Sequence, residues 1–328
     1  MKILTLGKAR INSFLFAFVL AYMYLYVASR HEGRLHSGKI KIYFVFPLIC
    51  TTFAAEMAKK QILLINDLAG YGKVATAAML PILSYMGYPV YNMPTALVSN
   101  TLDYGKFNIM ETTDYMQGVF PVWKELGFSF DAIATGFICS ERQARMVADY
   151  CKEQALRGTI IFVDPIMGDE GKLYNGVTPE RVDCMREMVA VADLIFPNYT
   201  EAAYLTNSTY NPAGVNAEEA RLLLDKLREI GTKSALITSI LVDGQPSVVG
   251  YNHYKDTYFQ LSYEEIPVHF PGTGDMFSAI LIGHLLQGES LRKSTREAMD
   301  ALYRLIDANK ENEDKNRGIP VEQWLRLL

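Results

Sequence analysis

Cysteine is scarce in this chain, with four among 328 residues: Cys50, Cys139, Cys151 and Cys184. No two make a C-x-x-C pair, and none stands beside a histidine at metal-ligand spacing. This argues against a disulfide framework or a structural zinc site and leaves the reduced thiols of a cytoplasmic protein. A basic stripe is missing as well. The formal net charge is −4, so no nucleic-acid partner is expected. Internal repeats are absent, and no linker interrupts residues 57–328, which therefore read as one domain. What the chain has in quantity is apolar surface, since half of its residues are hydrophobic, enough for a sizeable core.

Charge is also missing locally. Residues 11–29, "INSFLFAFVLAYMYLYVAS", carry none and lie between Arg10 and Arg30. Their length approaches the roughly 20 residues needed to span a bilayer. A second apolar run occupies 42–55. Residues 1–56 hold seven Lys and Arg against two acids, a net of +5 that leaves −9 on the remainder. Three readings of this extension stand open. It is a membrane anchor with basic flanks, or a signal peptide, whose apolar region normally runs about 7–15 residues. Alternatively it is upstream sequence, read in frame before a start at Met57, where "AKKQILLIND" leads directly into a first strand. A membrane partner is expected only if 1–56 belongs to the natural protein.

Beyond Met57, short apolar runs alternate with helical patterns. "QILLIN" (61–66), "DAIATG" (131–136), "TIIFVD" (159–164), "ADLIFPN" (192–198) and "SALITS" (234–239) read as strands buried on both faces. "NAEEARLLLDKLREIG" (216–231) keeps helical spacing at Ala220, Leu223, Leu224, Leu227 and Ile230. Asn216 and Glu219 cap its start and Gly231 ends it. This alternation predicts an α/β fold of three layers, a mostly parallel central sheet flanked by helices, with ligands at the carboxyl ends of the strands. "VVGYNHYKDTYFQLSY" (248–263) alternates without a helix between its halves, so an antiparallel hairpin is expected near one edge. The charged run "KENEDKNRG" (310–318) reads as a solvated loop.

Four motifs carry chemistry. "GYGKVA" (70–75) fails as a P-loop, because Val74 stands where Ser or Thr should meet Mg²⁺. It matches a dinucleotide fingerprint formally, but the next strand, "YPVYNM" (88–93), ends without the acid that would hold a ribose, which weakens an NAD-dependent oxidoreductase reading. A tight strand-to-helix turn is the commoner cause of such a match. "VDPIMGDEG" (163–171) places Asp164 at a strand end and Asp169 close behind. Two acids suit a hydrated Mg²⁺, which takes one or two protein carboxylates; an Asp-Pro turn is the plain alternative. "FPNYTEAAYL" (196–205) sets Asn198 and Glu201 three apart at a helix entry, where they either address a metal or cap the helix. "HFPGTGDMF" (269–277) precedes a run that is apolar all round, hence a buried helix. Gly272 and Gly274 let its N-terminus approach an anion, with Thr273 between them. Asp275 there is either an N-cap or an ionised base.

In that order, "VDPIMGDEGKLY", "PNYTEAAYLT" and "FPGTGDMFSA" resemble the pyridoxal/pyridoxamine kinases of the ribokinase-like superfamily, as do "LINDLAGYGKVATAAMLPILSYMGYPV" and "PTALVSNTLDYGKF". The likeness covers roughly 61–308 and leaves 1–56 without a counterpart. It implies ATP-dependent phosphorylation of the 5′-hydroxymethyl group of a B6 vitamer with Mg²⁺, and a homodimer, and it leaves a requirement for a monovalent cation such as K⁺ open. Asp275 matches the catalytic base and Gly272, Thr273 and Gly274 the anion hole. Asn198, Glu201, Thr238 and Ser239 match ATP-binding positions, and Asp164, Asp169 and Glu201 those near the metal. "EGKLYNGVTP" (170–179) matches a loop over the nucleotide. Thr95 and Phe137 match ring-contacting positions. Asp67 stands where better-known members carry a serine-containing motif, which leaves hydroxymethylpyrimidine kinases as the nearest alternative. A non-catalytic vitamer-binding protein is the alternative outside enzymes.

Overall fold

The computed structural model describes residues 60–174 and 177–328. The readings of residues 1–56, and Asn175 and Gly176 within 170–179, lie outside the described residues. Eleven strands and eight α-helices follow: β1 (Ile62–Tyr71), α1 (Ala75–Tyr85), β2 (Val90–Asn100), β3 (Ile109–Glu111), α2 (Thr113–Glu125), β4 (Ala132–Thr135), α3 (Glu141–Ala155), β5 (Ile160–Val163), β6 (Gly168–Asp169), β7 (Lys172–Leu173), α4 (Pro179–Val189), β8 (Leu194–Ile195), α5 (Tyr199–Leu205), α6 (Ala217–Ile230), β9 (Ser234–Val242), β10 (Gln245–Asn252), β11 (Thr257–Ser262), α7 (Thr273–Leu286) and α8 (Leu291–Asn309). Nine strands form one sheet in the order β11-β10-β9-β8-β5-β4-β1-β2-β3.

The pairs from β2 through β9 are parallel. The β9–β10–β11 hairpins close one edge and β3 the other, all antiparallel. The apolar runs explain this layering. Side chains alternate across a strand, so Leu63 and Ile65 enter one core with Ile133, Ile161 and Ile237. Ile62 and Leu64 enter the other with Ala132, Phe162 and Leu236. Helices α2 to α6 cover the first face, and α1, α7 and α8 the second. Each fully buried Leu or Ile contributes about 1.5–3 kcal/mol, so both faces must be covered.

Two expectations shift. β1 continues through Gly70 and Tyr71, still paired with β2, so "GYGKVA" becomes a strand end and a turn, with the helix opening at Ala75. β8 is only two residues long, because Pro197 lacks the N–H needed to extend its ladder. The remaining strand runs, the 216–231 helix, the edge hairpin and the 310–318 loop fall where their patterns place them.

Candidate functional site

Asn66 in the middle of β1 and Asp164 directly after β5 reach the first two turns of α7, and β8 and β9 follow β5 in the sheet. Asp164 follows β5 directly. Its amide donates to the Thr135 carbonyl, and its Oδ2 accepts from the Ser278 hydroxyl of α7 at 3.1 Å. Past β8, Asn198 and Glu201 form a reciprocal capping box: Glu201 N–H donates to Asn198 Oδ1 at 2.9 Å and Asn198 N–H to Glu201 Oε2 at 2.9 Å. The geometry is that of the helix-cap reading. Glu201 Oε1 also takes the Met167 N–H at 2.8 Å, and Asn198 Nδ2 donates to the Gly168 carbonyl at 2.8 Å, so α5 grips the small β6–β7 hairpin. Asp169 lies on that hairpin, exposed, with Oδ1 accepting from Glu170 N–H. Thr238 on β9 makes a parallel bridge to Asn198 beyond β8, and Ser239 beside it is exposed in the left-handed region at φ 52°.

At α7 the N-cap position belongs to Gly272, not Asp275. Gly272 has φ 84°, and a Cβ there would stand 2.0 Å from the Lys73 carbonyl oxygen. Asp275 sits in the first turn, and its carboxylate turns away from the helix's own amides. Oδ2 accepts the Ala75 N–H at 2.7 Å and Oδ1 faces Asn66 Nδ2 at 3.4 Å.

On the other side of Asp275 lies the β1 bulge, where pairing with β2 shifts register between Asn66 and Leu68. Bulges re-aim side chains, and Asp67 is buried at this point. Thr95 is fully buried and donates from Oγ1 to the Phe137 carbonyl at 2.7 Å, so its hydroxyl braces the loop that carries Phe137. Phe137 N–H donates to Asn66 Oδ1 at 2.8 Å.

Burial dominates the electrostatics. It pushes the Asp275 carboxyl up to about 6, against the opposing hydrogen bonds from Ala75 and Asn66. Asp67 is raised to about 7 by burial and then by the charge of Asp275. Burial raises Glu201 to about 7 despite its backbone donors. Asp164 is pushed well above the carboxylate range by burial, then by the charges of Glu201 and Asp275. Among the described residues, no three His, Cys, Asp or Glu side chains gather closely enough to hold a metal by themselves. Sequence reasoning missed Asn66, Ser278 and the Ala75 amide. Asn66 had one visible signal, a polar residue beside Asp67 at the end of a strand buried on both faces.

The phosphomethylpyrimidine kinase family model matches residues 93–320. A pyridoxal kinase from Arabidopsis thaliana is 30% identical over 244 residues, covering 70% of this chain and 75% of its own length. A Bacteroides thetaiotaomicron structure, described as a phosphomethylpyrimidine kinase and solved with pyridoxal, is 37% identical with a TM-score of 0.78, covering 82% of this chain and 95% of that one. Pyridoxal kinase from Lactobacillus plantarum superposes with a TM-score of 0.73 at 26% identity, covering 81% and 95%. With the three-layer sheet and the Gly-Thr-Gly-Asp helix start already in place, these matches show that the chain is a kinase and belongs to the pyridoxal kinase family of the ribokinase-like superfamily.

Proposed function

We propose that this protein transfers the γ-phosphoryl group of ATP to the 5′-hydroxymethyl group of a B6 vitamer, yielding a 5′-phosphorylated vitamer and ADP. The observation that carries the reading is Asp275: a half-buried carboxylate at the mouth of a helix whose first residues, Gly272, Thr273 and Gly274, offer free amides to an anion. Asp275 takes the proton of the hydroxymethyl group as oxygen attacks phosphorus, and the 272–274 amides hold the charge of the transferring group. Phosphoryl transfer needs alignment more than covalent help, which suits fixed strand ends.

Asp67, Thr95 and Phe137 are assigned to the vitamer and Asn198, Glu201, Thr238 and Ser239 to ATP. Asp164, Asp169 and Glu201 are assigned to Mg²⁺. The fit rests on buried Glu201 and half-buried Asp164, carboxylates that repel one another and gain from a cation. Glu201 already takes several backbone donors, so it acts on the ion through water. When bound, the ion supplies charge neutralisation for the phosphates, and Mg²⁺ needs only one or two carboxylates for this. A K⁺ requirement is tested in the same assay.

We also assign a cytoplasmic homodimer. Free Cys139, Cys151 and Cys184 suit a reducing compartment. The β2–β3 edge exposes Leu97, Leu102, Phe107, Ile109 and Met110, an apolar strip suited to a second copy. Among the described residues no helix is long and apolar enough to cross a membrane.

The test is coupled ADP release with pyridoxal, pyridoxine, pyridoxamine and hydroxymethylpyrimidine, with and without Mg²⁺ and K⁺. Turnover of a B6 vitamer, lost by about 10²–10⁴-fold in Asp275→Asn, is expected. Turnover of the pyrimidine alone would reassign the substrate, and a fully active D275N would reject the base.

A further inference from the structure

Asn66 is 1% exposed and has no role among the site residues assigned above. Its carboxamide lies between the two halves of the site. Oδ1 receives the amides of Asp67 at 3.0 Å and Phe137 at 2.8 Å. These two donors settle which way the amide points. Reversed, the NH₂ would face two N–H groups and the oxygen would face a carboxylate. Nδ2 therefore addresses Asp275 Oδ1 at 3.4 Å, with the Met79 sulfur at 3.7 Å. The fold leaves room for this group at a specific cost: at Gly136 a Cβ would stand 2.4 Å from the Asn66 carboxamide, so only glycine fits beside it.

The Asp275 carboxylate thus receives one donor on each oxygen. The Ala75 amide alone would fix one oxygen and leave the plane free to swing. A second donor, from β1 rather than α1, fixes the plane. We propose that Asn66 is a positioning residue, which orients the Asp275 carboxylate for proton abstraction and holds the Asp67 and Phe137 backbone on the same carboxamide, so that the base and the vitamer side are set by one group. The inference rests on the assignment of Asp275 as base.

Asn66→Asp separates these duties. It keeps the shape and an oxygen for the Asp67 and Phe137 amides, but sets an oxygen where Asp275 needs a donor. With pyridoxal and Mg-ATP, kcat is expected to fall on the order of 10- to 100-fold, the scale of a misplaced reacting group. KM for pyridoxal and for ATP should stay within about threefold, and N66D should cost nothing further in the D275N background, because residues acting as a unit are non-additive. An unchanged kcat, with or without a raised KM, would overturn the proposal, as would an equal loss in both backgrounds. If D275N itself turns over normally, the base assignment fails instead, which separates the two. Should N66D not fold, Asn66→Ala, which withdraws the donor and the acceptor oxygen together, goes through the same cycle with kcat alone as the readout: a loss in the wild-type background that vanishes in D275N is expected, and an unchanged kcat or an equal loss in both backgrounds would overturn the proposal.

Discussion

At the scale of single residues, the site is governed by what burial does to acids. Asp275 has two donors that favour its charged form and a surrounding that opposes it more strongly, and the net is an upward shift to about 6. The base works only when ionised. We therefore expect kcat/KM to climb between pH 5 and pH 7 on a limb centred at about 6, since this ratio reports the free enzyme's groups. Asp67, raised to about 7, shares the site, so the limb belongs to the pair and is broader than a single titration. A profile flat down to pH 4.5 would show that burial does not govern Asp275. Asp275, Asp164 and Glu201 were legible in sequence because each follows an apolar run and sits in a short motif of its own. Asn66 was hidden inside "ILLIND", where a polar residue beside an acid looks like a strand end. Its partners are 71 and 209 residues away, and no local pattern encodes such a distance.

At the scale of elements, the start of α7 separates fold from chemistry. Gly272 is required by the backbone, with φ 84° and the Lys73 carbonyl 2.0 Å from any Cβ. Gly274 has an ordinary φ and nothing within 4 Å of a Cβ. Gly272→Ala is therefore expected to lower the melting temperature by several degrees, consistent with a cost of about 1–3 kcal/mol for a strained position. Gly274→Ala should melt as the wild type does yet lose turnover, since its methyl enters the space kept for the phosphoryl group. Calorimetry beside the ADP assay checks both, and a stability loss in G274A with activity intact would reverse the assignment. The elements themselves were readable where one period dominated. β4 and β5 are almost wholly apolar, β1 and β9 each hold an apolar run of three or four residues, and α6 keeps its stripe and both caps. The two-residue strands β6 and β7 were not readable, because they are held by Asn198 and Thr200 from a different element. The length of β1 was also misjudged. Its last residues pair with β2 beyond the bulge, so tertiary pairing, not local composition, carries the strand through Gly70.

At the scale of the whole molecule, the acids that make the site also weaken the fold. Asp67 and Glu201 are raised to about 7, Asp275 to about 6, and Asp164 in the same direction. An ordinary unfolded carboxyl titrates near 4. Between about pH 4 and pH 7 the folded chain therefore holds protons that the unfolded chain has released. Where the folded state binds more protons, stability falls as pH rises. The stabilising contribution of these groups is complete below the unfolded value and is lost as pH climbs through the folded one. Glu111 works in the other sense, held low by the hydroxyls of Ser140 and Thr113, so its contribution disappears only in stronger acid. The ligand-free protein should thus melt at a higher temperature at pH 6 than at pH 8. Asp164→Asn removes a half-buried charge that faces Glu201 and Asp275 while keeping an oxygen for the Ser278 hydroxyl. It should raise the melting temperature at pH 8, flatten the dependence on pH, and abolish turnover, because strain held for catalysis is relieved only at the expense of catalysis. Scanning calorimetry from pH 5.5 to 8.5 on both proteins decides this. A wild-type melting temperature that rises steadily with pH would mean that the four acids are ionised at little cost and that the site is more open to water than their burial implies.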